Sequence, residues 1–226
     1  MEKFDVIVIG AGSAGISAAL RASDQGERVC IIEQERIGGS CLHRGIYPLK
    51  LGLSLLREDK SKFKNNSDID SKKLFREITD SMLTLSHRWE QRLTDSGVTI
   101  ITGKGLLLSS LLVQVDLNGK TVEVGTKKLI IATGSTPLSL PTLPFESDII
   151  IPVDDILKNH SIPERVFIMG TDSNAYELSN FYRLLGSKVF LSSEKSRLFP
   201  DQDSDIIDSL EQSLKQLKIK ALLGKK

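Results

Sequence analysis

The stretch FDVIVIGAGSAGISAAL, residues 4–20, decides the fold. Its first part, Val6 to Ile9, is β-branched and uncharged, the pattern of a strand buried on both faces of a parallel sheet. The run stops at Gly10-Ala11-Gly12-Ser13-Ala14-Gly15, a G-x-G-x-x-G loop. Beyond the loop, SAGISAALRASDQ sets Ile16, Ala19, Leu20 and Ser23 on one helical face, and Gly26 is placed to end that helix in a left-handed conformation. RVCIIE, residues 28–33, reads as a second buried strand, with Cys30 inside it as a small hydrophobe. Strand, glycine turn, helix and strand within about 30 residues form a βαβ unit.

A lone G-x-G-x-x-G is weak, but one that follows a strand and opens a helix has the context of a dinucleotide loop. Gly10 permits the tight turn, Gly12 lets a pyrophosphate approach the backbone, and Gly15 lets helix and strand pack closely. The helix N-terminus, with Ser13 and Ala14 in its first turn, offers free N–H groups and a partial positive charge to an anion. Glu33 ends the second strand 23 residues after Gly10, where a carboxylate can accept hydrogen bonds from ribose hydroxyls.

Bulk properties bound the rest. At 226 residues the chain has room for one large domain or two small ones. Thirty basic residues offset twenty-nine acidic ones, so charge points to neither nucleic acid nor an acidic surface as partner. Two cysteines are too few for a disulfide framework and fit a reducing compartment, so a cytoplasmic location is expected. The apolar run at residues 6–20 resembles a signal-peptide core. It lacks a basic lead, is broken by glycines, and falls short of the roughly 20 residues that span a bilayer, so no membrane association is expected. No Cys/His cluster has metal-ligand spacing.

Further along, residues 41–57 read as a helix with Leu51, Leu53 and Leu56 among its apolar positions, and the polar stretch 58–73 as a loop. LFREITDSMLTLSHRWEQRL, 74–93, is a long amphipathic helix through Phe75, Ile78, Met82, Leu85, Trp89 and Leu93. VTIITG, LLLSSLLVQVDL, TVEVG and KLIIATG read as successive strands, with a hairpin turn at Asn118-Gly119. PLSLPTLP, 137–144, is a proline-bearing crossover, and a domain boundary is expected within 145–160, giving domains of 1–150 and 151–226. RVFIMG, the helix in TDSNAYELSNFYRLLG, and SKVFLSS then repeat the opening pattern. DSDIIDSLEQSLKQLK adds a helix capped by Asp203 or Ser204, and IKALLG a third strand. The expectation is a three-layer α/β chain whose second Rossmann unit is incomplete.

GGSCLHRGIYPLK, residues 38–50, makes the resemblance specific. The chain resembles the flavin-dependent pyridine nucleotide–disulfide oxidoreductases, in particular the dihydrolipoamide dehydrogenase branch. These carry G-G-x-C-x-x-x-G-C-x-P-x-K after the first βαβ unit and A-T-G-S before a proline-rich crossover. Gly38, Gly39, Cys41, Gly45, Pro48 and Lys50 match the first motif, and Ala132, Thr133, Gly134 and Ser135 the second. The resemblance implies a glutathione-reductase-like FAD/NAD(P)-binding fold with FAD as the dinucleotide. Its site would be lined by Gly10, Gly12, Ser13, Ala14, Gly15, Glu33, Gly39, Ser40, Cys41, Lys50, Gly105, Thr133, Gly134 and Ser135.

The family uses two cysteines of this motif as a redox disulfide. Here Cys41 holds the first position and Ile46 the second. Thiol–disulfide exchange needs a second sulfur, which isoleucine cannot supply, and Cys30 in a buried strand is no substitute. Three readings stay open: a flavin-binding relative without dithiol chemistry, a hydride-transferring flavoprotein like the soluble transhydrogenases, and a non-enzymatic cofactor- or partner-binding module. Cys41 is then a flavin-adjacent residue or an ordinary buried thiol.

The family's second loop, G-G-G-x-x-G-x-E, aligns with Gly170 to Glu177, of which only Gly170 and Glu177 match. Thr171 and Asp172 add side chains where a pyrophosphate must approach. A carboxylate at about 5 Å and an effective dielectric of about 20 repels a unit charge by roughly 3 kcal/mol, on the order of a hundredfold in affinity. The ribose-binding acid aligns with Ser193, beside Glu194. NAD(P)H binding is therefore doubtful. The resemblance also implies an ion pair between Lys50 and Glu177 near the flavin N5, giving Cys41, Lys50 and Glu177 as the candidate catalytic set. Family members are about twice this length, and none of His43, His87 and His160 sits in the context of their catalytic histidine. The chain is expected to be truncated, with a protein partner that supplies the missing domains as one possibility.

Overall fold

A computed structural model describes residues 1–58, 70–145, 149–157 and 161–224. The expected polar loop falls largely on 59–69, and His160 and parts of the expected boundary region also lie outside the described residues. The described chain forms two compact units, residues 1–47 with 80–154 and residues 48–79 with 155–226. They are interleaved rather than consecutive, because residues 48–79 group with the C-terminal segment instead of with the first 150 residues.

The first unit is built on a six-stranded sheet. Strand β1 (Glu2–Ile9) runs parallel to β2 (Val29–Glu33) in the register Val6 to Val29 and Ile9 to Ile32, and β3 (Thr99–Thr102) continues outward from β2. On the other side β1 pairs parallel with the last part of β6 (Lys120–Ile131), Ile9 opposite Ile131. Strands β4 (Lys104–Ser109) and β5 (Leu112–Leu117) complete the order β3-β2-β1-β6-β5-β4 as antiparallel neighbours. Alternation divides the strand side chains into two cores. Val6, Val8, Val29 and Ile31 face helix α1 (Ser13–Asp24) and the later part of α4 (Ser71–Asp95), packing with Ile16, Ala19, Leu93 and Val98. Ile7, Ile9, Cys30 and Ile32 face Val113, Val115 and Val124 on the opposite side. Helices, parallel sheet and antiparallel strands give the expected three layers.

Gly26, at φ +79°, closes α1 as its position suggested. Three expectations are corrected. Residues 41–57 are not one helix: α2 (Gly39–His43) stops where the N–H groups of Arg44 and Gly45 both donate to the Ser40 carbonyl, and α3 (Ile46–Glu58) starts anew. Pro48 falls in the first turn of α3, where its missing N–H is not needed. The segment 106–117 is not one strand but the hairpin β4–β5. The segments TVEVG and KLIIATG are one strand, β6. Its early residues pair with β5 across a turn at Asn118 and Gly119, both at positive φ, and its later residues pair with β1.

The second unit has a three-stranded parallel sheet of β7 (Arg165–Met169), β8 (Lys188–Ser193) and β9 (Lys220–Leu223), in that order. Helices α5 (Ser173–Leu184) and α6 (Ser204–Gln216) connect them, α6 with Asp203 at its N-cap position. Phe181 of α5 is fully buried, edge-on to Phe75 at 6.4 Å between ring centroids. A Cβ on Gly52 would lie 2.6 Å from the Phe181 ring, so the glycine is what lets α3 approach it.

Candidate functional site

In the first unit, the parallel register brings Gly10, Glu33 and Ala132 to the carboxyl ends of β1, β2 and β6, where open α/β sheets bind their ligands. Gly10, at φ +99°, packs so tightly that a Cβ there would be 2.3 Å from the Ala132 carbonyl oxygen and 3.2 Å from the Thr133 Cα. A Cβ on Gly15 would be 1.8 Å from the Gly10 carbonyl oxygen. Helix α1 therefore lies directly on the turn, as the motif requires. Its N-cap is Gly12, which has no side chain to bond the first-turn N–H groups. Ser13 and Ala14 are exposed there.

The turn at Gly38-Gly39 closes over the same place. A Cβ on Gly39 would stand 2.6 Å from the Gly12 Cα, so two backbones meet with no side chain between them. The Gly38 N–H donates to the Ala11 carbonyl at 2.8 Å. Glu33 ties the loop from the other side: Oε2 accepts from the Ala11 N–H at 2.7 Å and Oε1 from the Glu35 N–H at 2.9 Å. A carboxylate has about four acceptor positions, so both oxygens retain capacity for ribose hydroxyls.

Thr133, Gly134 and Ser135 follow β6 and are exposed, with Thr133 adjoining Gly10. Gly105 behaves differently. It lies in β4, and a Cβ there would meet Ile9, Ile32 and Val113 side chains at 3.5–3.6 Å, so it faces the apolar layer rather than the glycine loop. Ser40 and Cys41 are exposed on α2. The alternative of Cys41 as a buried thiol is thereby excluded. Ile46, at the start of α3, is 54% exposed, unusual for isoleucine in a helix with an otherwise buried apolar face. Cys30 is fully buried in β2, and burial pushes its thiol up to about 12.

In the second unit, Lys50 Nζ and Glu177 Oε1 lie 2.6 Å apart although 127 residues separate them in sequence. The α5 turn has a Rossmann outline with a different chemistry from the first. Gly170 is at φ +150° and its N–H bonds the Ser192 carbonyl at the end of β8. Asp172 is the N-cap, and its Oδ1 accepts from the Ala175 N–H at 2.9 Å. The donor that an anion would seek is already bonded to a carboxylate of the chain. Ser193 Oγ accepts from the Lys195 N–H at 3.0 Å, closing a local turn at the position of the ribose-binding acid. Among the described residues, no group of three or more His, Cys, Asp or Glu side chains could hold a metal ion. No described helix is long and apolar enough to cross a membrane.

A glycine turn, an uncapped helix N-terminus and a strand-end glutamate on parallel strands are the outline of a dinucleotide-binding α/β fold. Residues 4–226 match the family described as pyridine nucleotide-disulphide oxidoreductase, and the chain belongs to that family. It is 37% identical to dihydrolipoyl dehydrogenase of Buchnera aphidicola subsp. Schizaphis graminum, over 97% of this chain and 48% of that enzyme. It is 30% identical to dihydrolipoyl dehydrogenase of Vibrio parahaemolyticus, over 99% of this chain and 49% of that enzyme. In fold it superposes on the HOCl-induced flavoprotein disulfide reductase RclA from Escherichia coli, in its Cu(II) complex, with a TM-score of 0.89 and 22% identity, over 100% of this chain and 50% of the other. The chain spans about half the length of the curated relatives it matches.

Proposed function

We propose that the chain binds FAD at the Gly10–Gly15 loop and that residues 41 and 46 carry no dithiol–disulfide exchange. The observation that carries the reading is the α1 N-terminus that no side chain caps, beside a turn packed so closely, Gly39 on Gly12, that a Cβ would clash there. A pyrophosphate accepts hydrogen bonds from such N–H groups and is favoured by the helix dipole. Glu33 orients the adenosine ribose with the acceptor capacity left on its carboxylate. Ser40, exposed on α2, adds a hydroxyl, and Thr133 to Ser135 border the turn at Gly10.

FAD, when bound, supplies two-electron hydride chemistry. The residues of the chain then determine which electrons reach it. Cys41 is a free exposed thiol, its family partner position is Ile46, and Cys30 remains a buried protonated thiol, so no second sulfur stands ready to complete an exchange. The reading that passes hydride from a nicotinamide is weakened by Asp172, which occupies the α5 N-terminus with its own carboxylate. The resemblance gives the Lys50–Glu177 pair, formed within the second unit, the role of a positive group that would favour a reduced, anionic flavin.

Expression with added FAD, followed by desalting and a visible spectrum, tests the first half of the proposal; a colourless protein that also fails to quench FAD fluorescence overturns it. Lipoamide or glutathione disulfide turnover by FAD-loaded protein would overturn the second half.

A further inference from the structure

We propose that His43 and Ser86 are positioning residues that lock the Gly38-Gly39 turn against Gly12; the consequence for flavin affinity rests on the reading above. The peptide unit joining Ile37 to Gly38 is held at both ends. Its oxygen, on Ile37, accepts from Ser86 Oγ at 2.6 Å and from His43 Nε2 at 2.8 Å. Its N–H, on Gly38, donates to the Ala11 carbonyl inside the glycine loop at 2.8 Å. A carbonyl has two lone pairs, and both are used. Because the peptide is planar, fixing both ends fixes its orientation, and Gly39 follows directly with its Cα packed on Gly12.

The lock answers a weakness of the motif. Gly38, at φ +121°, and Gly39, at φ +61°, are two consecutive glycines, the most conformationally free pair a chain can have. They must nevertheless hold one shape for the turn to stay packed on Gly12, beside the α1 N-terminus that a pyrophosphate would approach. The two donors come from different elements, His43 from α2 and Ser86 from the middle of α4, and Ser86 is buried. The tautomer of His43 follows from its partner. A carbonyl only accepts, so Nε2 carries the hydrogen, and in the neutral ring Nδ1 carries the lone pair. Nδ1 is buried with no hydrogen-bond partner. Leaving it unpaired is costly, so the ring sits where it does for what Nε2 reaches.

Three variants and their combination test the lock: Ser86→Ala, His43→Leu, which removes both nitrogens at similar volume, and His43→Gln, whose amide N–H falls near the Nε2 position. The readouts are hydrogen exchange of the Gly38 amide, FAD affinity and the melting temperature without FAD. Ser86→Ala and His43→Leu should each speed Gly38 exchange and weaken FAD by about two- to tenfold, the worth of one hydrogen bond. The double variant should lose more than the product of the singles, because the Ile37 carbonyl is then unpaired. His43→Gln should recover most of both. A general structural role would lower the melting temperature and raise exchange equally at Gly38 and in the β2 core. That result, or unchanged Gly38 exchange in both single variants, overturns the proposal. If the unaltered chain binds no FAD, the functional reading fails while Gly38 exchange still decides the lock. If His43→Leu does not fold, Ser86→Ala carries the same comparison.

Discussion

Replacing Gly39 with alanine probes the cradle at its narrowest point. The new Cβ would stand 2.6 Å from the Gly12 Cα, about 0.8 Å short of ordinary van der Waals contact, and neither partner is a flexible side chain. Gly39 also has φ +61°, a conformation costing an alanine about 1–2 kcal/mol. Relief of the clash moves the turn away from Gly12 by a distance that takes a hydrogen bond of about 2.9 Å out of range. Loss of one bond from an N–H group to a charged pyrophosphate, worth about 1.5–3 kcal/mol, weakens FAD on the order of tenfold to a hundredfold or more, and loss of two by the product. The control is Gly26→Ala, where φ is +79° and an added Cβ meets nothing within 4 Å. It carries the same torsional penalty without the clash. Both variants should lower the melting temperature by about 2–4 °C per kcal/mol, but only Gly39→Ala should weaken FAD in a fluorescence-quenching titration. A Gly39→Ala protein that binds FAD as the unaltered chain does would refute the cradle.

Asp172→Ser keeps a capping hydroxyl and removes the charge, so NADH affinity followed by its own fluorescence should rise by on the order of a hundredfold; no change would mean that Thr171 or Ser193 sets the limit. Ile46→Cys places two thiols five residues apart in sequence. If their Cα atoms lie within about 7 Å, thiol counting on monomeric protein after mild oxidation should show both lost, whereas two thiols that stay reactive would mean the turn has left the family's shape. Cys30 predicts an alkaline limb of stability. Its folded pKa is raised to about 12 by burial, above the ordinary 9.0, so the unfolded state loses its proton first as pH rises. The stability it contributes is full below pH 9 and falls between there and 12, by about 1.4 kcal/mol at pH 10. Denaturant titrations of the chain and of Cys30→Ala should differ in slope against pH over that window, and parallel slopes would show that the thiol is not desolvated.

The strongest sequence signals were those in which one local cause sets one conformation. The β-branched run at Val6–Ile9, the turn at Gly10 and the left-handed Gly26 are of this kind, and the Asn118-Gly119 hairpin is another. The structure departs where neighbours decide. The α2–α3 break depends on a Ser40 carbonyl that collects two N–H groups, and nothing in CLHRGIYPLK marks that competition except Gly45 and Pro48. Strand β6 runs unbroken through Gly125 because β5 and β1 pair with it in succession, information that is not local to TVEVGTKKLII. In the second loop the sequence showed that Asp172 would oppose an anion, but not that its carboxylate caps α5 itself. Ser86 and His43 were invisible as site residues, since they act on a backbone carbonyl distant from Ser86 by 49 positions. A histidine within three residues of the motif cysteine was the one available signal.

Calorimetric titration of the same preparation with FAD and then with NADH separates an α1 loop that takes a dinucleotide from an α5 loop that refuses one. One FAD site per chain is expected, with NADH binding weaker than FAD, because the Asp172 carboxylate already holds the Ala175 N–H that an anion would use. NADH binding as tightly as FAD, or no saturable FAD binding, would contradict that expectation.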